Sequence, residues 1–146
     1  MSVFDAMNTS ASGLTAQRLR MDVISSNIAN AQTTRANLDE NGEFEPYRRK
    51  MVTVEPKAND FRSFLHKAAH GKGVRVTQIV EDDEPFKLVY NPNHPDADET
   101  GYVQMPNVDP LKEMVDLMSA TRSYEANVTT INASKNMLMK ALEIGR

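Results

Sequence analysis

The sequence predicts an α+β fold: long amphipathic helices at both ends form a coiled-coil layer and bracket a small antiparallel β module. Three observations predict it. Apolar residues recur at 3-4 spacing near both ends, prolines crowd into the middle, and short alternating runs lie between those prolines.

The first segment, 1–32, reads as a helix. Ser2 and Asp5 have the spacing of a capping box. Phe4, Met7, Ala11, Leu14, Arg18, Met21, Ser25 and Ile28 follow one row, and six of these eight are apolar. Leu19, Val23 and Ile24 widen the stripe beyond a narrow two-helix seam. Asn27, Asn30 and the Thr33-Thr34 pair then favour a helix exit, because such side chains compete for local backbone groups.

The middle segment, 33–107, is punctuated by prolines 46, 56, 85, 92, 95 and 106, which excludes long helices. Four runs between them read as strands: Tyr47 to Val54, Val74 to Ile79, Phe86 to Tyr90 and Gly101 to Met105. Phe61 to Ala69 has room for one or two helical turns before Gly71 and Gly73.

The last segment, 108–146, opens with Asp109 as a cap and Pro110 in the first helical position. Met114, Leu117, Thr121, Tyr124, Val128, Ile131, Lys135, Leu138 and Leu142 keep the 3-4 spacing, and seven of these nine are apolar. Uninterrupted, this helix would run about 50 Å. Two paired helices cannot cover stripes this broad. Met118, Met137, Met139 and Ala141 on one helix, and Leu19, Val23 and Ile24 on the other, call for further partners.

The bulk numbers agree. The chain has 146 residues, 40% hydrophobic and 25% charged, without tryptophan. A mean hydropathy of -0.53 leaves a modest core for that length. The net charge of -3 gives no basic field for nucleic acid or anionic lipid. No run approaches the roughly 18 apolar residues of a membrane span, and the start lacks the pattern of a cleaved secretory signal. Cysteine is absent, which excludes disulfides and thiol chemistry.

Two stretches carry a resemblance. Met21-Asp22-Val23-Ile24-Ser25-Ser26-Asn27-Ile28-Ala29-Asn30-Ala31-Gln32-Thr33 resembles the N-terminal signature of flagellar rod and hook proteins. Asn107 to Pro110, Glu113 to Met118 and Arg122 to Asn127 resemble their C-terminal signature. Arg35-Ala36 stands where many members have Gly-Tyr, which sets the chain apart from the distal rod and hook. Pro46 to Lys50, Val89 to Asp98 and Gly101 to Val103 are similar to proximal rod members of the flagellar basal-body rod family. The likeness leaves out only residues 37–43 and 58–72, the latter reading as a variable insertion.

The resemblance implies a structural rod subunit in the periplasm, part of the drive shaft that carries torque from motor to hook. It implies export by the flagellar type III apparatus without a cleaved signal. Partners would be other rod subunits and the export-gate/rod junction protein, with no cofactor, metal, nucleic acid, membrane insertion or small-molecule ligand. Assembly would run through the terminal helices. The expected interface residues are Leu14, Met21, Ile24, Asn27, Ile28, Asn30, Met114, Leu117, Met118, Tyr124, Asn127, Val128, Ile131 and Leu138. The asparagines among them could bond backbone groups between packed helices.

Competing readings are weaker. His66 and His70 are four apart, as a metal pair on a helix would be, but no third ligand stands near. The acidic runs Glu81 to Glu84 and Asp96 to Glu99 lack the EF-hand pattern and read as solvated turns. Arg48-Arg49-Lys50 reads as a charged edge strand more than as a nucleic-acid contact. No Gly-x-Ser-x-Gly elbow is present, so no enzyme is expected. The main alternative is a coiled-coil adaptor or export cofactor that never joins an axial tube.

Overall fold

The computed structural model describes residues 3–38, 42, 44–57 and 73–144. Helix α1 spans Val3–Ala29 and helix α2 spans Pro110–Ile144. Between them lie six short strands among the described residues: β1 (Asn37–Leu38), β2 (Phe44–Glu45), β3 (Lys50–Pro56), β4 (Val74–Glu81), β5 (Lys87–Tyr90) and β6 (Tyr102–Met105). The predicted α+β class holds. Ser2, the helical turns expected at Phe61 to Ala69, and the His66–His70 pair lie outside the described residues.

Both helix boundaries follow from local chemistry. At the start of α2, the Asp109 carboxylate accepts the Leu111 N–H at 3.1 Å, and its carbonyl accepts the Glu113 N–H at 3.0 Å. This is the expected cap, with Pro110 placed where its missing N–H costs nothing. Helix α1 stops at Ala29 and the chain turns at once, Thr33 donating its N–H to the Asn30 carbonyl at 3.1 Å.

The strands pair as three two-stranded sheets, β1–β2, β3–β4 and β5–β6. In β5–β6, Leu88 stands opposite Gln104, Val89 opposite Val103, and Tyr90 opposite Tyr102. With period-two alternation, Leu88, Tyr90 and Tyr102 share the outer face, and all three are exposed. Val103 points the other way and is buried. The four strands predicted from the sequence are β3 to β6; β1 and β2, two residues each, were not foreseen.

The chain forms two compact units. The first gathers the described parts of 1–21, 52–78 and 118–146. Its buried positions include Ser10, Ala16, Ala120 and Ser134. A Cβ added to Gly13 would stand 3.2 Å from the Asn127 amide nitrogen, and Thr121 Oγ1 lies 3.6 Å from Met21 Sδ. Numbers rise along α1 as they fall along α2, so the helices run antiparallel here. Gly73, at φ +76°, immediately precedes β4, where a Cβ would collide with Ser12 Oγ. That same Oγ accepts the Val74 N–H at 3.0 Å.

The second unit gathers 22–51 and 79–117. Val23, Ile24, Tyr47, Val103 and Val108 form its apolar core, and Asn27, Asn107 and Glu113 are buried with them. Among the described residues, no helix is long and apolar enough to cross a membrane.

Candidate assembly surface

The helices present two different faces. The buried residues of α2 are Glu113, Ala120 and Ser134, with Asn127 half-buried between the last two. Ala120, Asn127 and Ser134, all in the first unit, are spaced by sevens, the repeat of a helix seam. On α1 the buried or tightly approached positions include Ser10, Gly13 and Ala16. Small side chains let two backbones come close, and they take up the seam.

Several large apolar side chains are left outside. Leu111 is 74% exposed and Val115 is 60% exposed, with Met114 and Met118 exposed beside them. Phe4 on α1, and Met137, Met139, Leu142 and Ile144 farther along α2, are exposed as well. At 100° per residue, Leu111, Met114, Val115 and Met118 fall on the side of α2 opposite Glu113 and Ala120. Contiguous apolar surface of this kind marks an interaction face.

The residues expected at the interface divide accordingly. Met114 and Met118 are open to solvent. Leu14, Met21, Ile28, Asn30, Leu117, Tyr124, Asn127, Val128, Ile131 and Leu138 are half-buried, flanking the seam. Ile24 and Asn27 are buried inside the chain itself. Asn30 and Asn127 bond locally among the described residues. Each donates to a carbonyl one turn back on its own helix segment, Ser26 and Ser123 respectively, at 2.9 Å. Leu111 and Val115 were missed, although their spacing with Met114 and Met118 was legible.

Within the second unit, Asn27 is the centre of a polar cluster and is only 1% exposed. Its amide donates to the Lys50 carbonyl at 2.8 Å and to Glu113 Oε2 at 2.9 Å. Its Oδ1 accepts the Lys50 N–H at 2.9 Å and the Tyr47 hydroxyl at 3.0 Å. Every bonding site of that side chain is used. Glu113, also 1% exposed, accepts Arg49 Nε–H on its other oxygen at 2.7 Å. Arg49 further reaches Asp82 at 3.1 Å and Asp116 at 3.7 Å. Asn107 accepts the Arg49 N–H at 2.7 Å and donates to the Asp82 and Glu84 carbonyls at 3.1 Å each.

The charges of the cluster are tuned by these contacts. Burial works against the Arg49 guanidinium, yet its bonds to Glu113 and Asp82 hold it above its ordinary value. The Glu84 N–H, then Arg49, draw the Asp82 carboxyl below its usual 3.8. Asp96 is lowered too, first by its bond from Arg35 and next by Thr34. Neither acidic run is merely a solvated turn.

The basic run is likewise engaged. Arg48 lies over the Phe86 ring at 4.5 Å and Lys50 over Tyr47 at 5.7 Å, while Arg49 points into the cluster. A polar cleft of about 470 Å³ is lined by Thr34, Glu45, Phe86, Asp96 and Asp98 among others, and its Asp96 is already tied to Arg35 and Thr34. Among the described residues, no three histidine or acidic side chains gather as a metal site requires.

Two family models match the chain. The one described as flagella basal body rod protein covers residues 7–36; the one described as flagellar basal body rod FlgEFG protein C-terminal covers residues 99–144. The flagellar basal-body rod protein FlgC of Bacillus subtilis is 61% identical, with 100% of each chain covered. The protein of that name in Borreliella burgdorferi is 46% identical, over 99% of this chain and 98% of the relative. That of Escherichia coli O6:H1 is 42% identical over 100% of both.

This chain belongs to the flagellar basal-body rod protein family. In the rod protein the two matched segments carry α1 with Asn27 and α2 with Glu113. Arg49 and Lys50, the partners of those side chains just before and at the start of β3, fall between the two segments.

Proposed function

We propose that the rod protein assembles through the large apolar side chains that its own helix seam leaves outside, and that these join it to neighbouring rod subunits and to the export-gate/rod junction protein. Membership of the family makes the chain a structural subunit of the flagellar basal-body rod. Its placement in the proximal rod, its share in the torque-bearing shaft and its delivery by the flagellar type III apparatus belong to the proposal. Catalysis has no part in it.

One observation carries the reading: Leu111, Met114, Val115 and Met118 stand open on one side of α2. Burying a leucine or valine of this kind is worth about 1.5–3 kcal/mol once a neighbour covers it. A tube of many such contacts holds firmly although each chain alone is modestly packed.

Leu111→Asp and Val115→Asp test this directly. Both positions are exposed, so the free chain should unfold within about 0.5 kcal/mol of the parent. Cells carrying either variant should swim poorly, and purified hook–basal bodies should lack the chain. Normal swimming with both variants would refute the proposed face. Loss of the parent chain itself from stripped hook–basal bodies would favour a soluble adaptor instead.

A further inference from the structure

We propose that the outer face of the β5–β6 hairpin is the surface on which a second copy of this chain seats the start of its α2. Each subunit then offers one face and receives on another. This assignment rests on the proposed function and deepens it, naming what covers Leu111, Met114 and Val115. Both surfaces belong to the second unit.

The hairpin face is a built platform. Leu88, Tyr90 and Tyr102 are exposed on it, and the two tyrosine rings meet edge to face at 5.3 Å. A Cβ on Gly101 would stand 2.9 Å from Tyr90 Cε2, so the ring is braced from the backbone as well. A two-stranded sheet is marginal by itself and gains from packing against a helix. The inner side of this one lies on the core through Val103; the outer side has room for a visitor. Leu88 and Tyr90 are about 7 Å apart along β5, and Leu111 and Val115 about 6 Å apart along α2. One turn of helix therefore matches the platform, and Met114 beside a tyrosine ring is a favoured contact of sulfur with an aromatic edge.

Charge selects the occupant and its direction. Lys112 is the one cation in residues 110–117 and is exposed, while Glu113 and Asp116 turn toward Arg49. The loop end of the hairpin carries Asp98 and Glu99, both exposed, and the Asp98 N–H bonds the Tyr102 carbonyl at 2.9 Å. Lys87, the cation of β5, is tied to the Val108 carbonyl at 2.8 Å. Two copies meeting by like faces would set lysine against lysine, or acid against acid. The α2 of one copy on the hairpin of another sets Lys112 beside Asp98 and Glu99. Leu111 then falls at the tyrosines and Val115 over Leu88. Contact between unlike faces repeats from copy to copy, closing a ring or extending as a helix, whereas contact between like faces stops at two.

The chain has no cysteine, so Leu88→Cys with Val115→Cys in one chain reports this contact cleanly. Hook–basal bodies are purified from cells making only that variant, oxidised and run on a non-reducing gel. Disulfide-linked dimers and larger multiples of the chain are expected, and monomer alone from either single variant. Monomer alone from the double variant, in basal bodies that contain it, would overturn this inference and leave the proposed function standing, since another neighbour would then cover α2. Dimers from a single variant would overturn it too, because like faces would be meeting. A charge exchange decides the matter independently, including where the cysteines keep the chain out of the rod. Lys112→Glu is expected to cut swarm diameter at least two-fold, and Glu99→Lys added to it to restore the parent value. Full swarming with Lys112→Glu alone, or no recovery in the pair, would overturn the inference.

Discussion

The two units of the rod protein spend their polar side chains differently. In the second unit, Asn27, Arg49, Asn107 and Asp96 bond partners 23 to 86 residues away in sequence. In the first, most helix hydroxyls turn back on their own helix, as Thr15 to Ala11, Thr130 to Ala126 and Ser134 to Thr130, while Ser12 also accepts from Val74. Long-range bonds between buried groups specify a unique arrangement, because each misplaced partner leaves a dry polar atom. Bonds one turn back specify only the helix. The difference teaches that the second unit carries its own instructions, whereas the first depends on close packing of small side chains and leaves more to its surroundings.

The largest test of that contrast is Asn27→Ala. It strands the Lys50 backbone groups, the Tyr47 hydroxyl and one Glu113 oxygen together, and should cost about 3 kcal/mol or more in chemical denaturation. A loss under about 1 kcal/mol would mean that the cluster is ornamental. Val103→Ala comes next, at about 2 kcal/mol, since its side chain is buried beneath β5–β6 and would leave a void.

Gly13→Val should follow at about 1–2 kcal/mol. The added methyls press on Asn127, and overpacking at a close helix approach forces a shift. Hydrogen exchange should quicken at residues 3–21 in that variant; unchanged protection there would show that the seam is looser than drawn.

The smallest effect concerns acid. Asp82 and Asp96 both titrate below their ordinary 3.8 in the folded chain. Their contribution is therefore present above that value and is lost as the pH falls through the lowered one. Asp82→Asn should flatten the decline in stability below pH 4, read from denaturation at a series of pH values. An acid profile identical to the parent's would remove Asp82 from the account.

Much of this was legible in the sequence. Both helices announced themselves by 3-4 spacing, and the Asp109-Pro110 cap fixed the start of α2 because its chemistry is local. Strands β3 to β6 followed from alternation and flanking prolines, while two-residue strands such as β1 and β2 are too short to alternate. The seam was the part that stayed hidden. Reading apolar rows favours the largest side chains, so Met114 and Leu142 were placed in the same stripe as Leu117 and Ile131. Both are in fact exposed. The burial of Glu113 is not legible from apolar rows, its partner Arg49 lying 64 residues away. Asn27 is expected from the sequence at the assembly interface; that it instead bonds within the chain depends on Lys50 lying beside it.

One property of the outer face reaches beyond packing. Met114, Met118, Met137 and Met139 are all exposed. Peroxide attacks open thioethers and turns each into a polar sulfoxide. A subunit waiting in an oxidising medium would thus lose its adhesive character by chemical ageing, while a copy shielded by neighbours would keep it.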